Sequence, residues 1–326
     1  MLSIIRFETW ATASNFRVKS GRMRQISRTW GNWGAIAALG GVISLLSFAP
    51  REFHSALAPK FDIASMRFAG SNAQQARYLL RQVFFQGRLG DTLRELPPLI
   101  DSMMTATLPV PSRDRLRAYL AKQGIDSLDV GGDISRSLSH TKSGIEAAYF
   151  IIHDASNLMN PPTIRYFPPI VNSIAWEGNQ IWRQRNFRWA HAFINRLGES
   201  VTCNDFEKAV YATKFEKSIQ NPDVGDTCVG TFIHIENIMP RRSSRHRRPY
   251  NDAIAINPGL TDMQYERLAL LYFVASIRKE GWLIPSFHAV IDEGIKDAHT
   301  DPQNFELAKW LKALRKLYNQ MGGIDL

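Results

Sequence analysis

The stretch "AAYFIIH", residues 147–153, is a short apolar run of strand length that ends in a histidine. From here to the end of the chain strands and helices mix. "AHAFINRLGESVTC", residues 190–203, reads as strand, turn at Gly198, strand, and "VGTFIHIEN", residues 229–237, is another β-rich run. A long helix follows in "LTDMQYERLALLYFVASIRKEGW". Thr261 and Gln264 form a capping box there, and Gly281 follows a last turn holding Arg278 and Lys279. "LIPSFH" is the next strand. "FELAKWLKALRKLYNQMGG" closes the chain as a helix with Leu307, Trp310, Leu311, Leu314 and Leu317 on one face. The pattern predicts, over residues 141–326, an α/β domain with a mixed central β-sheet flanked by helices.

Residues 59–140 read as a small helical, loop-rich N-terminal extension. "NAQQARYLLRQVFFQ" has Leu79, Leu80, Val83 and Phe84 at helical spacing, and "SRDRLRAYLAKQG" starts at a Ser112 cap and ends at Gly124. Pro97, Pro98, Pro109 and Pro111 prevent one continuous helix. "VGGDISRSLSHTKSG" reads as a linker to the larger domain.

The 326 residues are 44% hydrophobic and 21% charged, the balance of a globular chain with a sizeable core. The net charge of +10 is concentrated in two places. Residues 1–28 carry Arg6, Arg17, Lys19, Arg22, Arg24 and Arg28 against Glu8, and "RRSSRHRRPY" carries Arg241, Arg242, Arg245, Arg247 and Arg248. No basic face with interleaved aromatics runs through the chain, so a nucleic-acid partner is not expected. The Arg run reads as a solvated loop.

Residues 29–50 carry no charge, and their apolar centre, "AIAALGGVISLLSFA", is fifteen residues long, short for a membrane span. After a basic block this reads as a secretory signal or an uncleaved inner-membrane anchor within residues 1–58. Either places the remainder in the periplasm or cell envelope. In that compartment Cys203 and Cys228 form either a disulfide or two buried thiols. Their positions, after the hairpin and before the "GTFIHIEN" strand, predict that they are close enough to pair.

The densest chemistry lies in "FHAVIDEGIKDAHTDP", residues 287–302, with His288, Asp292, Glu293, Asp297, His299 and Asp301. His153, His234 and His288 end or occupy strands. A zinc hydrolase needs three protein ligands and an open position, and histidine and aspartate suit zinc. Neither cysteine sits in a CxxC and there is no HExxH, so no local zinc motif selects the ligands.

Taken in order, "YFIIHDAS", "HAFINRLGESVT", "GTFIHIEN" and "IPSFHAVID…HTDPQNFELAKW" resemble the zinc-dependent N-acetylmuramoyl-L-alanine amidases, the group shared by phage amidase-type lysozymes and peptidoglycan recognition proteins. The resemblance covers about half the chain, residues 147–312. It implies His153, His288 and Asp301 as ligands to Zn2+ and Glu236 as the acidic catalytic residue. Where many members have lysine two residues before the third ligand, this chain has His299. That histidine either donates a hydrogen bond to the developing oxyanion or competes with Asp301 as ligand. The implied substrate is peptidoglycan or a muropeptide, cut between N-acetylmuramic acid and L-alanine. The alternative is a recognition module that binds peptidoglycan without cutting it. Asp292, Glu293 and Asp297 read as loop and turn residues, His191 and His234 as structural neighbours of the site. Trp176 and Trp182 offer sugar-stacking surfaces, with core packing as their more ordinary role.

Overall fold

A computed structural model describes residues 59–159, 164–221, 226–243 and 253–322. The expected signal or anchor in residues 1–58 lies outside the described residues. Among those described, no helix is long and apolar enough to cross a membrane.

The first part of the chain holds a two-stranded ladder, β1 (Phe61–Asp62) and β2 (Arg67–Phe68), then helices α1 (Asn72–Leu79), α2 (Pro98–Met104) and α3 (Arg113–Gln123). Ser112 caps α3 through the amide of Arg115, and Gly124 ends it in the left-handed region, as its sequence predicts. In contrast, α1 stops at Leu79, so Val83 and Phe84 do not extend its apolar face.

Six strands make the central sheet. They are β3 (Tyr149–Leu158), β4 (Ala192–Ile194), β5 (Ser200–Thr202), β8 (Phe232–Arg242), β9 (Ile254–Ala255) and β10 (Ile284–Phe287). A separate short ladder joins β6 (Gln220–Asn221) to β7 (Asp226–Thr227). The order is β10-β3-β8-β4-β5, with β9 also on β8. β10, β3, β8 and β4 run parallel, whereas β5 and β9 are antiparallel to their neighbours. The sheet is therefore mixed, as the sequence predicts. Tyr149, Phe150, Ile151 and Ile152 are all buried, because a parallel central strand is covered on both faces.

Helix α5 (Asp262–Lys279) begins with the Thr261–Gln264 capping box, with both reciprocal bonds made. Its left-handed C-cap is Glu280 (φ 59°), one residue before the glycine expected to end it. α5 packs on α7 (Leu307–Gln320) through Tyr272, Phe273, Trp310 and Tyr318. Two short helices, α4 (Lys214–Ser218) and α6 (His288–Ile291), stand beside the sheet.

Residues 59–140 share the core of the sheet domain. Leu79, Val83, Leu116 and Leu138 belong to the same buried cluster as Ile151, Ile233 and Leu271. The Tyr149 hydroxyl donates to Gln75 Oε1 (2.7 Å) and accepts from the Phe68 amide (2.8 Å). The stretch read as a linker is pinned, since the Arg278 guanidinium donates to the carbonyls of Gly131, Arg136 and Ser137.

Two further sequence expectations need correction. Cys203 and Cys228, expected to lie close enough to pair, form no disulfide. Cys203 packs beside the small cluster of Ala190, Phe193, Val201 and Ile238, while Cys228 is buried in the main core. Arg241, expected in a solvated loop, is 1% exposed and is the last residue but one of β8. Residues 244–250 of that Arg run lie outside the described residues.

Candidate metal centre

Parallel register places the candidate residues in one row. His153 on β3 pairs with Glu236 on β8, which pairs with Phe193 on β4. Phe287 pairs with Ile152, so His288, the next residue, arrives beside His153. Asp301 reaches the same point from the loop before α7. The ligand-capable atoms of His153, His288 and Asp301 all lie within 4.8 Å of one another, and all three residues are buried. His153 Nδ1 is 2.8 Å from His288 Nδ1 and 3.8 Å from Asp301 Oδ2; His288 Nδ1 is 3.1 Å from that oxygen. These separations straddle the roughly 3.3 Å edge of a tetrahedron with zinc–nitrogen bonds of about 2.0–2.1 Å.

The partners of each imidazole decide which nitrogens face this point. Asp292 accepts the amides of Phe215 (2.9 Å) and Lys214 (3.3 Å), and also faces His288 Nε2 at 3.0 Å. A carboxylate only accepts, so His288 Nε2 carries the proton and Nδ1 the lone pair. On the other side, Glu216 Oε2 accepts the amides of Ala212 and Thr213 and the Thr213 hydroxyl, and Glu216 Oε1 faces His234 Nε2 at 3.3 Å. His234 therefore turns its Nδ1 lone pair toward His153 Nε2 (3.0 Å), and His153 in turn presents an Nδ1 lone pair. Two lone pairs and a carboxylate oxygen thus converge. That arrangement repels itself unless a cation sits among them, and it fits a metal ion.

A proton is the competing cation. Burial alone would lower His288, but Asp301 and Asp292 override it and hold the ring well above its usual range. Burial and the neighbouring His288 and His234 hold His153 well below that range, so it is neutral, the form a metal needs. Burial would raise Asp301, and His288 reverses this to hold it well below the usual carboxylate range.

The Asp301 loop is clasped to β3. The Asp154 amide donates to Asp301 Oδ2 (3.1 Å), and the Gln303 amide donates to Asp154 Oδ2 (3.1 Å). Arg241 holds Asp154 with both oxygens at 2.5 and 2.6 Å and donates to the Ala253 carbonyl (2.7 Å). The arginine misread as solvated therefore anchors the third candidate ligand through Asp154.

A cleft of about 350 Å³ opens onto the cluster, lined by Ser156, Asn157, Gln184, Phe187, Glu236 and His299 among others. Glu236 Oε1 lies 3.8 Å from His153 Nδ1, and its side chain is 15% exposed. Burial, then the charge of Asp301, raises its carboxyl to about 8. His299 is 43% exposed, with Nδ1 3.7 Å from Asp301 Oδ1 and its ring 4.6 Å from that of His288. It stands at the rim and is not among the three converging residues.

Asp292 is 0% exposed and orients His288, which corrects its reading as a loop residue. Its signal was the spacing His288–Asp292, four residues apart across the single turn of α6. Glu293 is paired with Arg81 at 2.5 Å and bonded by the Tyr78 hydroxyl. Asp297 has φ 57°, a turn conformation. His191 and His234 are neighbours as expected: His191 Nδ1 accepts the His234 amide (3.0 Å) and Nε2 donates to the Lys208 carbonyl (3.0 Å). Glu216 went unnoticed in sequence. Trp176 packs on the small cluster, and Trp182 is exposed on a different groove, with Arg185 and Glu199.

Fold and site together define an α/β protein whose mixed sheet carries a His–His–Asp group able to hold a metal ion. Comparison with protein-family models, with curated proteins and with solved structures gave no match.

Proposed function

We propose that this protein is a zinc-dependent amidase that cleaves the bond between N-acetylmuramic acid and L-alanine in peptidoglycan or a muropeptide, in the cell envelope. The observation that carries the proposal is the convergence of two Nδ1 lone pairs and the Asp301 carboxylate beneath a cleft that also holds Glu236. The bond follows the resemblance of residues 147–312, and the compartment follows the apolar run after the basic block within residues 1–58. His153, His288 and Asp301 would hold the zinc, which supplies Lewis acidity at neutral pH.

The chain's own groups then divide the work. Glu236 opens onto the cleft 3.8 Å from His153 Nδ1, within reach of a water at the candidate metal point, and can serve there as general base. It takes a proton from the attacking water at a carboxylate oxygen and returns it to the leaving nitrogen of L-alanine. His299, at the rim, donates a hydrogen bond to the carbonyl oxygen as the carbon becomes tetrahedral, a contribution of roughly 10²–10³ in rate. Phe187 and Phe193 give the cleft an apolar wall, while Asn157 and Gln184 offer neutral amides to the substrate.

The test is release of the alanine amine from a muramoyl-peptide, with zinc measured on the same samples. The purified chain should hold one zinc, and His288→Ala should lose it. Glu236→Gln should keep the zinc while hydrolysis falls by about 10²–10⁴. A zinc-loaded protein that binds the peptide and releases no amine would be a recognition module instead. Full activity without metal would end the zinc reading.

A further inference from the structure

The two imidazoles facing the candidate metal point share one short support. Helix α4 offers the amides of Lys214 and Phe215 to Asp292, the partner of His288. The same helix carries Glu216, the partner of His234 and through it of His153. Glu216 and His234 are 1% and 0% exposed. A carboxylate buried this deeply is usually tied into a local network, and the capping box of α4 explains only Oε2. His234 Nε2 lies 3.3 Å from both oxygens, and Oε1, which the cap does not use, is the one free to accept its proton.

We propose that Glu216 and His234 are a positioning relay that sets the tautomer of His153 and thereby its competence as a ligand. This rests on the metal-binding reading above. The relay works by hydrogen-bond polarity alone. Glu216 accepts from His234 Nε2–H, His234 Nδ1 accepts from His153 Nε2–H, and the His153 Nδ1 lone pair points at His288 and Asp301. Neither group touches the reacting atoms. The stacked ring of His191, 5.8 Å from that of His234, and the bond from the His234 amide to His191 Nδ1 hold the middle member in place.

Glu216→Gln tests the polarity with little change of shape. Glutamine has one acceptor oxygen where Glu216 uses two. The three donors of Ala212 and Thr213 keep that oxygen, and the –NH2 group turns to His234 Nε2. His234 must then protonate at Nδ1 and donate to His153 Nε2, which leaves the proton of His153 on Nδ1, where the ligand lone pair should be. His288 keeps its Nε2 proton, because Asp292 is untouched.

Tautomers are read directly by long-range 1H–15N correlation of the imidazoles in the metal-free, 15N-labelled full chain. Zinc affinity is measured by competition with a chromophoric chelator, and ligand geometry by the visible spectrum of the Co2+-loaded protein. In the wild type His153 and His234 should be Nε2–H. In Glu216→Gln, His153 and His234 should switch to Nδ1–H, zinc affinity should fall roughly 10–100-fold, and the Co2+ bands should shift. If Glu216→Gln fails to fold, His234→Phe keeps a ring and removes the acceptor of His153, and zinc affinity should fall likewise. Unchanged tautomers with zinc affinity within about two-fold of wild type would overturn the relay. A wild type that takes up no zinc would instead overturn the metal reading, while the His153 tautomer would still report on the relay.

Discussion

Arg241 offers the sharpest test of the packing around the candidate site. Its guanidinium is 1% exposed and its partner, the Asp154 carboxylate, is fully buried. Replacing it as Arg241→Met roughly preserves the apolar stem. The change removes the bonds to both Asp154 oxygens and the bond to the Ala253 carbonyl. The buried carboxylate is left with the Gln303 amide as its remaining donor among the described residues. Breaking one side of a buried ion pair costs about 3–5 kcal/mol, because the surviving charge has lost its partner and cannot regain water. Adding Asp154→Asn removes that charge and leaves an acceptor for Gln303, so the double variant should recover part of the loss. The measurement is urea unfolding with chelator present, comparing ΔG for wild type, both single variants and the double. A loss under about 1 kcal/mol in Arg241→Met, or losses that simply add in the double variant, would refute the buried-pair account. Because the Gln303 amide and Asp301 share this clasp, the metal affinity proposed above should fall in Arg241→Met as well.

Burial, then the charge of His234, holds His191 well below 6.5. As pH falls through 6.5 the unfolded chain takes up a proton there and the native chain does not, so stability is lost toward acid from that point. His191→Gln should flatten the slope of ΔG against pH by up to about 1.4 kcal/mol per unit just below 6.5, and an unchanged slope would mean that His191 titrates alike in both states. Gly230 has φ +100°, and a Cβ there would sit 2.4 Å from the His140 carbonyl oxygen. Gly230→Ala should therefore destabilise by at least about 1–3 kcal/mol, read as a drop in the thermal midpoint; a midpoint equal to wild type would contradict the close approach.

The elements of this fold were legible because their signals are local. The apolar run ending in His153, the turn at Gly198, the Thr261 capping box and the apolar face of α7 each declare themselves within a few residues. The mixed sheet followed from them. The candidate ligands His153, His288 and Asp301 were also named in advance, by the order of four motifs and not by any local spacing. What escaped was whatever depends on partners far along the chain. Arg241 sits in a run of arginines that reads as solvated, and only pairing with Asp154, 87 residues away, buries it. His153 and His234 are 81 residues apart, so no pattern in the chain states which nitrogen each presents. Glu216 carries no signal in sequence, and only the sheet brings His234 within 3.3 Å of its carboxylate. Sequence by itself determined which residues form strands and helices and which side chains could bind a cation. Tertiary structure decided which are buried, which are paired and where their protons sit, because burial and hydrogen-bond polarity belong to the assembled contacts and not to any one segment.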